Sequence, residues 1–176
     1  MRRVVYFENC NQKIDLCCDE VYRNFIDSAF SKTDYVMLVY VNYYGKGYSK
    51  QMKMYRDLLK PFKVKSRSDP HWPGTPGTYS QNTTYKIVFY KNCRKTKDVL
   101  KTVSSLSSWT RPLYPQDLAF FIGNQCWFYS VGHEKIGAII RADEDDIQFV
   151  ISHKLGDAER VFLTDDSFYN TCDEEI

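Results

Sequence analysis

The apolar positions of this chain fall into short stretches of two different periods, and the expected elements follow from those periods. Residues 3–8, RVVYFE, are β-branched and aromatic and predict a strand. The polar NCNQK after them reads as a turn, followed by a short return strand through Ile14 and Leu16. From Asp19 the residues Val21, Tyr22, Phe25, Ile26, Ala29 and Phe30 recur at helical spacing and give a first amphipathic helix. YVMLVYVNYY, residues 35–44, is apolar at nearly every position, as a central strand covered on both faces requires. After Gly45 and Gly47, Ser49 opens a helix over KQMKMYRDLLK, with Met54 and Leu58, and also Met52 and Tyr55, expected to face inward, and Pro61 ends it.

Further along, YKIVFY at 85–90 predicts a strand, and Val99, Leu100, Val103 and Leu106 a third helix. TRPLYP marks a link at 109–115 and the best internal boundary. DLAFFI and QCWFYSV flank Gly123-Asn124, which reads as a two-residue hairpin with glycine first. KIGAIIR gives a further strand. Asp143 caps a helix with Glu144, Asp145 and Asp146 in its first turn and Ile147, Val150, Ile151 and Leu155 on its buried face. RVFL at 160–163 is a last short strand.

Strands and helices are interspersed without strict alternation, which predicts the α+β class: one domain over 1–176, with three to four helices on a mixed or mostly antiparallel sheet. Residues 63–83, with three prolines and two glycines, are expected to form one long loop without regular strand. The acidic end, 164–176, is expected to fray.

Composition adds compartment and surface character. Hydrophobic residues make up 43% and charged residues 26%, which fits an ordinary globular chain rather than a disordered one. No apolar run approaches the ~18 residues a membrane helix needs, and the start is too polar for a secretory signal, so a cytoplasmic protein without membrane contact is expected. In that compartment the six cysteines are thiols, and Cys17-Cys18 suits neither zinc nor redox spacing, so neither metal nor cofactor is expected. Aromatics reach 16%, which favours half-buried sheets and ring-lined binding surfaces. Charge is polarised along the chain: residues 1–111 hold 20 Lys/Arg against 9 Asp/Glu, and residues 112–176 hold 4 against 13. Such a split either pairs two halves of one fold or presents a basic face to a polyanion.

Three constellations carry chemistry. The first is residues 42–67, where eight Lys/Arg stand among five aromatics with one acid, Asp57. Cations draw phosphates and rings stack on bases, so Tyr44, Lys46, Tyr48, Lys50, Lys53 and Arg56, with Arg67, Trp72 and Tyr79 beyond, are the candidate ligand-binding residues. Lysines on a helix with a buried opposite face are also simply its solvated side. Gly45 and Gly47 before a helix suit a phosphate-cradling turn, although the spacing of a P-loop is absent. The second constellation is His133 with Glu134 and Asp117, where a carboxylate would orient an imidazole for acid–base work. Alternation along a strand sets His133 and Glu134 on opposite faces unless the chain turns there. The third is Trp72, Trp109 and Tyr114 in proline-rich loops, suited to rigid protein recognition.

The reading that fits best is a non-enzymatic binding protein, monomeric or homodimeric, whose basic aromatic surface takes a nucleotide, a nucleic acid or an acidic protein partner. Two alternatives stand beside it: a protein-recognition module with exposed Trp and Tyr anchors, and a small hydrolase or nuclease built on His133.

Overall fold

In the computed structural model, which describes residues 2–7, 17–77, 81–156, 161–164 and 172–176, the strand-forming stretches pair into one eight-stranded sheet. The strands are β1 (Arg2–Tyr6), β2 (Tyr35–Tyr43), β3 (Lys63–Ser68), β4 (Thr83–Lys91), β5 (Gln116–Ile122), β6 (Gln125–Val131), β7 (Ile136–Ile139) and β8 (Val161–Thr164). Their order is β3-β4-β2-β5-β6-β7-β1-β8, and every pairing is antiparallel. Four α-helices accompany it among the described residues: α1 (Asp19–Lys32), α2 (Lys50–Leu59), α3 (Arg94–Leu100) and α4 (Glu144–Ser152). The α+β class therefore stands, with a wholly antiparallel sheet. The expected return strand through Ile14 and Leu16 lies outside the described residues.

The continuous apolar run of β2 has the meaning assigned to it, since β2 lies between β4 and β5 and is buried from Val36 to Val41. Cross-strand partners share a face. Val36, Leu38 and Tyr40 of β2 therefore face the same way as Tyr90, Val88 and Lys86 of β4 and Phe120 of β5. The helices pack on this side: the Phe25 ring of α1 meets Phe120 at 6.1 Å and Phe128 at 4.8 Å, and Phe149 of α4 lies 6.3 Å from Phe25. The opposite face carries Met37, Val39, Val41, Ile87 and Phe89, all buried as well. Trp72 lies against Tyr85 on that face, with ring centroids 5.1 Å apart. Gly74 passes so close above the same face that a Cβ would press into the Tyr129 ring, and its φ of +80° suits glycine alone.

Three expectations are corrected. Residues 63–68 form the edge strand β3, and β4 begins at Thr83, so regular strand claims both ends of the predicted loop. The cations Lys63, Lys65 and Arg67 hide the strand from a composition-based reading, yet edge strands commonly carry such charges because they discourage pairing with another chain. On α2 the buried residues are Met52, Tyr55 and Leu59, whereas Met54 and Leu58 are exposed. The third helix stops at Leu100; Val103 and Leu106 are buried from a turn and a 3₁₀ segment instead. Of the acidic end, residues 164 and 172–176 are described. Thr164 lies in β8, and Cys172 is buried. Asp173 accepts the Cys126 amide at 3.0 Å and pairs with Arg141 at 3.0 Å. Residues 165–171 lie outside the described set.

The Gly123-Asn124 hairpin and the Asp143 cap form as read. Gly123 has φ +53°, and Asp143 and Asp146 exchange side-chain to backbone bonds in a capping box. No described helix is long and apolar enough to cross a membrane.

Candidate functional site

Along α2 the helical period puts Met52, Tyr55 and Leu59 on the core, which turns Arg56 and Asp57 toward the outer strands. The helix passes directly into a 3₁₀ turn, Lys60–Phe62, and then into β3, so Lys60 and Lys63 follow on the same rim. Beneath them, alternation along β4 brings Lys86, Val88 and Tyr90 to the helix-bearing face beside Tyr40 of β2. These residues and Tyr48, from the turn before α2, line a cleft of about 360 Å³.

The cleft is basic and aromatic together. Arg56, Lys60, Lys63 and Lys86 face one carboxylate, Asp57. Asp57 is spent on Arg56 at 3.2 Å, while no described carboxylate forms an ion pair with Lys60, Lys63 or Lys86. The Arg56 guanidinium lies 5.7 Å from the centre of the Tyr48 ring, and Tyr48 meets Tyr40 edge-on at 6.0 Å. The Tyr40 and Tyr90 hydroxyls are bonded to each other at 2.7 Å. Burial pushes both phenols above their ordinary value, Tyr40 furthest, and the nearby Arg56 charge offsets only part of the rise. They are therefore neutral hydrogen-bond donors at any physiological pH.

Of the residues singled out from sequence, Tyr48 and Arg56 line this cleft. Tyr44, Lys46, Lys50 and Lys53 are exposed and stand outside it. The Gly45–Gly47 turn spends two of its amides internally, Gly47 N–H on Asn42 Oδ1 at 2.8 Å and Lys46 N–H on the Tyr43 carbonyl at 2.9 Å. Arg67 points to the opposite face of the sheet, where Glu174, Asp69 and the His71 carbonyl hold it. Tyr79 lies outside the described residues. Tyr40, Lys60, Lys63, Lys86 and Tyr90 are the additions. Lys86 and Tyr90 carried a signal in the strand period itself, because a lysine in phase with Val88 and Tyr90 marks a face that opens to solvent at one end.

Both tryptophans named as anchors are buried. Trp72 is 5% and Trp109 0% exposed. Each indole N–H is satisfied inside, Trp72 on Asp117 Oδ2 at 2.8 Å and Trp109 on the Tyr22 hydroxyl at 2.9 Å. The His133 constellation is only partly assembled. Gly132–Glu134 turn as a 3₁₀ segment, which brings His133 Nε2 to 3.6 Å from Glu134 Oε1 at the surface. Asp117 is buried and committed elsewhere: it accepts Trp72, the Gly132 amide at 2.9 Å and Gln116 Nε2 at 3.2 Å. Burial raises its pKa, and those donors compensate only in part.

A second cleft, of about 470 Å³, is lined in part by Asp34, Lys91, Cys93, Arg94 and Lys97. Its cationic excess is smaller, because Asp34 shares it and Lys97 pairs with Asp27 at 3.1 Å. Among the described residues no group of His, Cys, Asp and Glu has the makings of a metal site. The five described cysteines are free thiols.

Comparison with protein-family models, curated proteins and solved structures returns no match, so the site is read from its own geometry.

Proposed function

We propose that this chain is a binding protein for a phosphate-bearing ligand, a nucleotide or a nucleic-acid strand, held in the cleft between α2 and the β3–β4 edge. One observation carries the reading: four cations converge with three tyrosines on a single concavity whose only acid among the described residues is already paired. Unpaired cations crowded together repel one another, an arrangement that an incoming anion relieves. The volume lies within the range of small-molecule sites, and rings beside the charges offer a stacking surface to a base.

The test is charge reversal at the rim. In Lys60→Glu/Lys63→Glu, binding of a fluorescent nucleotide, followed by anisotropy at low salt, should weaken by at least about tenfold, as expected when attraction at two exposed sites becomes repulsion. The melting temperature should stay close to the original, because both side chains are exposed. Wild-type binding should also weaken as salt is raised. Affinity that ignores both the substitutions and the salt would remove the cleft from consideration.

A further inference from the structure

The floor of the cleft holds an unspent proton. Tyr40 and Tyr90 are each 1% exposed, and their hydroxyls are 2.7 Å apart. A phenol donates one proton. Two phenols carry two, and the bond between them consumes one. The second O–H meets no acceptor among the described residues. That O–H is left to donate into the cleft, to water or to a bound acceptor. Because burial keeps both phenols protonated, the donor persists across the physiological range.

The surroundings say what kind of acceptor fits. Val88 supplies an apolar patch beside the pair and Tyr48 a ring, while the exposed Lys60, Lys63 and Lys86 carry the charge. Polarity thus changes from neutral donors at the floor to cations at the rim. An anionic group seated at the floor would have Arg56 as its nearby cation, whereas the exposed lysines lie at the rim. A flat, neutral ring bearing a carbonyl oxygen or ring nitrogen would use every feature at once, provided that its phosphate remains outside.

Resting on the reading of the cleft as a phosphate site, we propose that the ligand is a nucleoside monophosphate bound base-inward. A base acceptor takes the spare Tyr40–Tyr90 proton, the base lies against Tyr48, and the phosphate stays with Lys60, Lys63 and Lys86. The Tyr pair is then the element that reads the base, and the lysines read only charge.

The experiment titrates the full chain calorimetrically with the four common nucleoside monophosphates and with ribose 5-phosphate, which lacks the base. Wild type should bind at least one nucleotide more tightly than ribose 5-phosphate. In Tyr40→Phe/Tyr90→Phe that nucleotide should lose on the order of tenfold in affinity, the worth of one buried hydrogen bond, while ribose 5-phosphate is unchanged. If nucleotide affinity is unaffected in the double variant, or if ribose 5-phosphate matches every nucleotide on wild type, the base-inward proposal fails while the phosphate site stands. If none of the five compounds binds, the base-inward proposal falls, and the charge-reversal and salt test decides the phosphate site. Should the double variant fail to fold, Tyr40→Phe and Tyr90→Phe singly decide the matter. The variant lacking the ligand-facing hydroxyl should lose the affinity, and two singles that both bind like wild type overturn the proposal.

Discussion

Asp117 illustrates how a residue chosen for its chemistry can turn out to hold the fold. Its backbone is left-handed, with φ +58°, and its carboxylate is shut away from water between three donors. An asparagine there turns one acceptor into an amide N–H facing other N–H groups. Asp117→Asn should therefore cost about 1–3 kcal/mol by urea unfolding at neutral pH. The pH dependence has a definite sign. Burial raises the folded pKa above the ordinary 3.8, so the folded chain holds a proton that the unfolded chain has lost in the window above 3.8. The contribution is greatest in acid and declines as pH rises through the folded pKa. The stability gap between wild type and Asp117→Asn should shrink accordingly over that interval, and a gap that widens with pH would contradict the assignment. Nothing in the sequence distinguishes this aspartate from a catalytic one, because its partners Trp72 and Gly132 lie 45 and 15 residues away. Trp72 misled for the same reason: its proline-rich loop reads as surface, and only the fold brings Asp117 to its indole.

Among the elements, those with one unmixed period were legible and those with competing signals were not. α1, β2, the β5–β6 hairpin and the α4 cap each announced themselves through spacing or capping residues. On α2, apolar side chains occur at 52, 54, 55, 58 and 59, which two different helical faces can claim. The tertiary environment chose Met52, Tyr55 and Leu59, and that choice turns Arg56 into the cleft. The phase is testable by paired truncations. Leu59→Ala should cost about 2–5 kcal/mol, whereas Leu58→Ala, one residue earlier and 48% exposed, should stay within about 0.5 kcal/mol. Equal costs would mean that α2 is rotated and the cleft differently lined. The candidate site was half legible for a related reason. Its α2 side lies inside the basic, aromatic segment 42–67, but its floor comes from β2 and β4, and the pairing of Tyr40 with Lys86 is a matter of register rather than of local sequence.

Over the whole molecule the sequence's charge split resolves into two populations of cations. One is neutralised from the acidic end of the chain: Lys32 by Asp143 and Asp146, Arg3 by Glu144, Arg141 by Asp173 and Arg67 by Glu174. The other has no carboxylate partner among the described residues, and three of its members, Lys60, Lys63 and Lys86, gather at one cleft. Arg67 and Lys63 belong to the same strand, four residues apart, yet they fall into different populations. Arg67 shares the face of its partner Ile87, and Lys63 that of its partner Tyr90. That difference makes a prediction which residue chemistry alone would not. Arg67→Gln leaves Glu174, whose side chain is 11% exposed, without its partner, and should destabilise the chain by about 1–3 kcal/mol in urea unfolding while nucleotide affinity stays unchanged. Lys63→Gln should do the reverse, weakening the nucleotide at constant stability. If Arg67→Gln instead weakened the ligand without touching stability, the ligand would lie on the face crossed by residues 172–176, and the leftover lysines would be only the solvated rim of an edge strand.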